Sequence, residues 1–238
     1  YGERTAMKNM KFLLFILAFQ ALTFIPKSEA SFLRFWRGFP KSELSLDQFN
    51  ADLNDIFLPA TAALAKTPAH LISYQPLLLP VDLILTEKLP VELALVEYAS
   101  EAEYRSYRDT QEGQAYSNLH WDYFEKSTSR STVPTQFTGV LESDKAYLIG
   151  NQINWNSGPS FFYLFRNDAS TMEKIAQALL LSEKNGFKGV VLVAPTYVMM
   201  YAKSFLNPTL IRILLWETTL RSGMTLQYGS GIQYPLRK

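Results

Sequence analysis

The chain contains no cysteine among its 238 residues. That absence excludes disulfides, thiol chemistry, cysteine-ligated metals and lipid attachment through cysteine, so stability rests on a packed core. Histidine occurs only at positions 70 and 120. No HExxH, GxSxG, phosphate-gripping glycine loop or EF-hand loop is present, and no residue stands out as the nucleophile of a Ser/His/Asp triad. Excess charge is missing too. A net charge of +1 gives no bulk electrostatic case for nucleic acid. The apolar run Phe12–Ile25 falls short of the ~20 residues a membrane-spanning helix needs.

What is present describes a globular chain, with 47% hydrophobic and 19% charged residues and enough length for one large domain or two small ones. Lys8 and Lys11 precede the apolar run, and Ser28-Glu29-Ala30 closes it. A basic start, a short apolar middle and a small-x-small end describe a secretory signal peptide over residues 1–30. Met7 is the more plausible start, and residues 1–6 read as upstream sequence. The expected location is periplasmic or secreted, the former fitting a cysteine-free chain better, with no membrane association after cleavage.

Ser31–Arg37 alternates and is aromatic, which predicts a strand. Ser45-Leu-Asp-Gln48 has the form of a capping box. Apolar residues then recur from Leu46 to Leu64 at helical spacing, with Pro59 expected to kink the helix. His70–Pro80 reads as a strand that Pro76 pushes towards an edge. Residues 80–90 read as a connection and Val91–Tyr98 as a central strand. A helix follows from Ser100 through the aromatic segment Tyr104–Phe124, divided at Gly113. Ser127–Pro134 reads as a polar linker and Thr135–Thr138 as a closing strand. The order β-α-β-β-α-β over residues 31–140 is the ferredoxin-like arrangement.

Residues 141–238 echo this half. Ala146–Trp155 is an expected strand, and Phe161–Arg166 aligns with Phe32–Arg37. Ser170-Thr-Met-Glu173 resembles a capping box, and Asn185-Gly186 signals a helix end. Gly189–Val193 is a buried strand. Thr196–Phe205 is ambiguous between helix and strand, and Leu210–Trp216 is laid against Val91–Tyr98. The last segment, Arg221–Lys238, is glycine-rich and lacks a second long helix. The fold class is therefore α+β, with two ferredoxin-like halves in tandem, the second incomplete. By this element order, and by its strand-then-aromatic-helix pattern, the chain over roughly residues 31–220 resembles the dimeric α+β barrel superfamily. The resemblance implies two sheets packed as an intrachain α+β barrel.

His120, Tyr116 and Phe124 fall along one helix flank. His120, Tyr116 and Tyr123 are candidate ligand contacts, and core packing accounts for each equally simply. Arg34, Arg37, Arg166 and Arg212 interrupt or end apolar strands. They either pair with Glu92, Glu97 or Glu217, or project into a ligand cavity where a guanidinium fork holds an anion. Arg108 and Glu112 sit on a would-be core face and suggest a half-open cleft, or else face water past Gly113. The Asn-rich stretch Gly150–Pro159 could contact a sugar through Trp155, or simply form turns.

No cofactor is predicted. Members of the resembled superfamily that bind haem through a helix histidine make haem at His120 an alternative. The reading that follows is a secreted or periplasmic protein binding a small ligand or a protein partner through an aromatic cleft. The alternative is a cofactor-free or haem-using enzyme of the α+β barrel kind; whether the chain is an enzyme stays open.

Overall fold

The computed structural model describes residues 31–79, 81–151, 153–156, 159–168, 170–203 and 219–226. The expected signal segment, the strand at Leu210–Trp216, Arg212 and Glu217 lie outside the described residues.

The first half builds a four-stranded sheet. Strands β1 (Phe32–Gly38), β2 (Leu71–Leu78), β3 (Glu92–Tyr98) and β4 (Arg130–Thr132) lie in the order β2-β3-β1-β4, every pair antiparallel. That is the ferredoxin-like order, with β3 central and the proline-bearing β2 at an edge, where Pro76 has no ladder donor to lose. Two corrections concern its closure. The fourth strand is Arg130–Thr132, within the stretch read as a linker, because its Ser/Thr residues pair with β1 at the rim. Thr135–Gln136 (β5) instead joins the second sheet, parallel to β6 (Lys145–Ile149).

Helices cover one face of this sheet. Helix α1 (Leu46–Asp52) passes through a π-helical turn, Leu53–Phe57, into α2 (Leu58–Ala63). The wide turn sits just before Pro59, which lacks an N–H, so the predicted kink takes the form of a local change of helix type. Ser45 caps α1 through the Gln48 amide at 3.2 Å, but the Gln48 side chain turns forward to Asp52 rather than back. Only half of the capping box forms. Within residues 80–90, Val81–Glu87 forms a further helix, α3. Helix α4 (Glu101–Arg108) meets α5 (Gln111–Tyr123) at a corner. The break falls at Thr110, whose hydroxyl caps the Gly113 amide at 3.0 Å, and not at Gly113 itself. Gly113 serves the corner differently: a Cβ there would lie 2.0 Å from the Tyr107 carbonyl oxygen.

In the second half β7 (Pro159–Arg166), β8 (Gly189–Val193), β9 (Tyr197–Ala202) and β10 (Thr219–Leu226) take the order β8-β9-β7-β10. Position by position this repeats the first sheet, and β6 and β5 extend it beyond β8. The ambiguous segment after Pro195 is thus a strand, and β9, not Leu210–Trp216, holds the place of β3. Helix α6 (Thr171–Glu183) is capped by the Asp168 carboxylate, which accepts from the Ser170 and Thr171 amides at 3.0 Å each. Ser170 itself makes no cap, which corrects the capping-box reading. Gly186, at φ 81°, ends the helix as expected.

Alternation sorts the second sheet's side chains. Phe162, Leu164, Val190, Leu192, Met199 and Tyr201 join the core shared with the first sheet. Their neighbours Phe161, Tyr163, Phe165, Val191, Val193 and Met200 join the core under α6. A period of two thus yields two cores from one run of apolar residues. The two sheets meet through Phe35, whose ring centroid is 5.6 Å from that of Tyr201. The Tyr201 hydroxyl donates to the backbone carbonyls of Gln75 at 2.9 Å and Leu93 at 3.3 Å. Trp155 is buried in this region, and its carbonyl accepts from Gln75 Nε2 at 3.0 Å. Its ring is therefore not available to a sugar, and the sugar-contact reading of that stretch is corrected.

Candidate functional site

The outer face of the first sheet is the floor of a cavity. Tyr74, Val96 and Arg34 stand in register across β2, β3 and β1, and Trp36 and Tyr98 flank them on the same face. The corner of α4 and α5 roofs the space with Tyr104, Tyr107, Tyr116, Ser117, His120 and Trp121, while Phe57, Thr61 and Leu64 close one side. Arg108, Arg130 and Ser131 also line it. The cavity measures about 250 Å³.

His120 is half-buried and lines the cavity from α5. Its ring meets those of Phe57, Tyr116 and Trp36 edge-on, with centroids at 4.8, 4.9 and 5.2 Å. Nδ1 lies 3.1 Å from the Tyr116 carbonyl oxygen. A carbonyl only accepts, so Nδ1 carries the proton and Nε2 keeps a lone pair. Burial depresses the imidazole to about 4, a tendency that the Tyr116 carbonyl opposes and the Arg34 charge reinforces. His120 is thus neutral at pH 7. The Tyr116 hydroxyl pairs with the Thr61 hydroxyl at 2.7 Å. Thr61 spends its own proton on the Phe57 carbonyl, so Tyr116 is the donor. Burial holds the Tyr116 and Tyr98 phenols above the usual tyrosine range.

Behind this wall lies Glu92, fully buried on the same sheet face. It accepts hydrogen bonds from Trp36 Nε1 at 3.0 Å and from the Tyr74 hydroxyl. Burial is the leading cause that raises its carboxyl from 4.5 to about 7; the two donors pull the other way. No cation touches it among the described residues. Glu97 likewise takes a neutral donor, the Ser31 hydroxyl at 2.5 Å. Of the arginines read as their partners, Arg34, Arg37 and Arg166 go elsewhere.

Arg34 projects into the cavity, donates to the Tyr104 hydroxyl and lies 4.6 Å from the centroid of that ring. Arg37, three residues along and on the opposite face of β1, pairs with Asp144 at 3.1 Å between the halves. Arg166 pairs with Glu87. Of the sequence candidates, then, His120, Tyr116, Arg34 and Arg108 come together. Tyr123, Arg37 and Arg166 are not among the lining residues. Sequence reasoning missed Tyr74, Trp36, Tyr98 and Glu92. Alternation from Arg34 would have put Trp36 on the same face, but cross-strand register is needed to add the other three.

No protein-family model matches the chain, and no curated relative matches it. Solved structures similar in fold include a dimeric protein of unknown function and ferredoxin-like fold from Bacteroides fragilis, at 11% identity over 43% of this chain and 93% of that one, with a TM-score of 0.35. A proposed monooxygenase of Fusobacterium nucleatum matches at 6% identity over 86% and 97%, with a TM-score of 0.43. Another from Lactobacillus acidophilus matches at 7% over 86% and 99%, with a TM-score of 0.39. At these values the likeness assigns no activity.

Proposed function

We propose that the protein binds a small ring-bearing molecule in the cavity between the first sheet and the α4–α5 corner. The observation that carries this reading is a space of about 250 Å³ walled mainly by aromatic side chains. Such walls offer flat apolar faces and edge contacts to a ring. An apolar cavity of ~150 Å³ accepts benzene, so this one suits a single substituted ring or two fused rings. Export through residues 1–30 belongs to the same proposal, supported by the basic, apolar and small-residue order of that segment. N-terminal sequencing of protein recovered from outside the cytoplasm should start at Ser31; a start at Met7 would refute it. Among the described residues no helix is long and apolar enough to cross a membrane.

Haem at His120 has less support. The Nδ1–H to carbonyl bond does leave Nε2 as a lone pair suited to iron. The space of about 250 Å³, however, is too small for four pyrrole rings.

Calorimetric titration with 2-naphthol tests the cavity reading. The protein should bind it saturably, and Ser117→Trp, which fills the space from α5, should abolish binding while the protein still unfolds cooperatively. Binding unaffected by Ser117→Trp, or no saturable heat, would overturn the assignment.

A further inference from the structure

The charged residues around the cavity are all of one sign. Arg34, Arg108 and Arg130 line it, and among the described residues no aspartate or glutamate does. Two of these arginines have acidic neighbours: Arg108 lies 3.9 Å from Asp109, and Arg130 pairs with Asp144. Arg34 has none among the described residues. Its hydrogen bond and its ring contact both go to neutral Tyr104.

Arg34 is half-buried, and a guanidinium even partly withdrawn from bulk water and left without an anion is less favourable than a paired one. It carries five N–H donors in a planar fork, of which Tyr104 takes one. The Tyr104 ring, itself a wall of the cavity, has its centroid 4.6 Å from the central carbon of the fork. A second group points to the same place. Tyr98 is 4% exposed and lines the cavity, with its ring centroid 4.7 Å from that of Tyr104. Burial keeps that phenol protonated, so it can only add a neutral donor or acceptor, not a competing charge. The neutral His120 likewise puts no second cation beside Arg34 at pH 7.

We propose that the cavity selects an aromatic carboxylate, with the carboxylate on the Arg34 fork, the Tyr98 hydroxyl beside it and the ring against Trp36 and His120. This rests on the reading of the cavity as a ligand site and adds the ligand's charge. A carboxylate, planar and two-oxygened, matches the fork better than a point anion. Removed from water, the pair gains more from its charges than a surface pair would.

Titration of the protein with 2-naphthoate and with 2-naphthol, the same rings without the charge, tests it at pH 7. Naphthoate should bind roughly tenfold to a hundredfold more tightly, the range of one or two charge-assisted hydrogen bonds. Arg34→Met should bring the ratio of the two affinities to about one; Arg34→Lys, which keeps charge and loses the fork, should retain part of the preference. Equal binding of both probes, or a preference that survives Arg34→Met, would overturn the carboxylate assignment while the cavity stands. Binding of neither would overturn both. Should Arg34→Met fail to fold, Tyr98→Phe gives the second reading: it should weaken naphthoate more than naphthol, and an equal or opposite effect would count against the proposal.

Discussion

Glu92 and His120 should pull the pH dependence of stability in opposite directions, and replacing one should expose the other. A carboxyl raised from 4.5 to about 7 prefers its protonated form in the folded state by about 3 kcal/mol. Below pH 4.5 both folded and unfolded chains are protonated there, and this contribution is fully present. As pH rises towards 7 the unfolded chain ionises first, binds fewer protons, and stability falls. His120 has the reverse sign. Lowered from 6.5 to about 4, it contributes fully above pH 6.5, and its contribution is lost as pH falls through about 4. Between about pH 4.5 and 6.5 the two slopes, each about 1.4 kcal/mol per pH unit, nearly cancel. Glu92→Gln removes the falling branch. Its amide can still accept from Trp36 and donate to Tyr74, so packing is kept. Relative to wild type, the urea midpoint of this variant should climb with pH from about 4.5 to about 7 and then level off. Its advantage over wild type should grow by about 3 kcal/mol from pH 4.5 to 8. His120→Gln should tilt the other way. Glu97, also raised by burial, is present in all three proteins and drops out of the differences. Parallel curves for wild type and Glu92→Gln at every pH would refute the picture of a dry, unpaired carboxyl behind the cavity wall.

Two further perturbations probe the frame. Gly113→Ala, ordinarily favourable inside a helix, should here destabilise by about 1–3 kcal/mol in urea unfolding, because its Cβ would meet the Tyr107 carbonyl at 2.0 Å; a more stable variant would mean that the α4–α5 corner is open. Tyr201→Phe leaves the Gln75 and Leu93 carbonyls without their inter-sheet donor. It should cost about 1 kcal/mol or slightly more, and an unchanged midpoint would show that these carbonyls are satisfied otherwise.

Most of the elements were legible because periodicity is local. Phe32–Arg37 alternates, Phe161–Arg166 is its apolar echo, and both became interior strands of their sheets. The helix end at Gly186 was legible because only a few residues tolerate a positive φ. Failures came where a competing local partner decided. Ser170 looked like a cap, but Asp168, two residues earlier, reaches the same amides. Arg130–Thr132 looked like linker because a short rim strand needs no apolar residue, only the backbone donors of its neighbour. The site was half legible. Arg34 and His120 stood out as polar residues in apolar company, while Glu92 looked like an arginine's partner.

By itself, then, the sequence determined the strand and helix periods, the tandem ferredoxin-like order and the chemistry the chain cannot do without cysteine. Only the tertiary structure decided which arginine lacks a carboxylate. Arg34 and Arg37 are three residues apart on one strand and so face opposite ways. One meets Asp144 from the second half, 107 positions along the chain, and the other meets an aromatic helix corner. That difference is set by cross-strand register and by the packing of the halves, neither of which any local stretch of sequence contains.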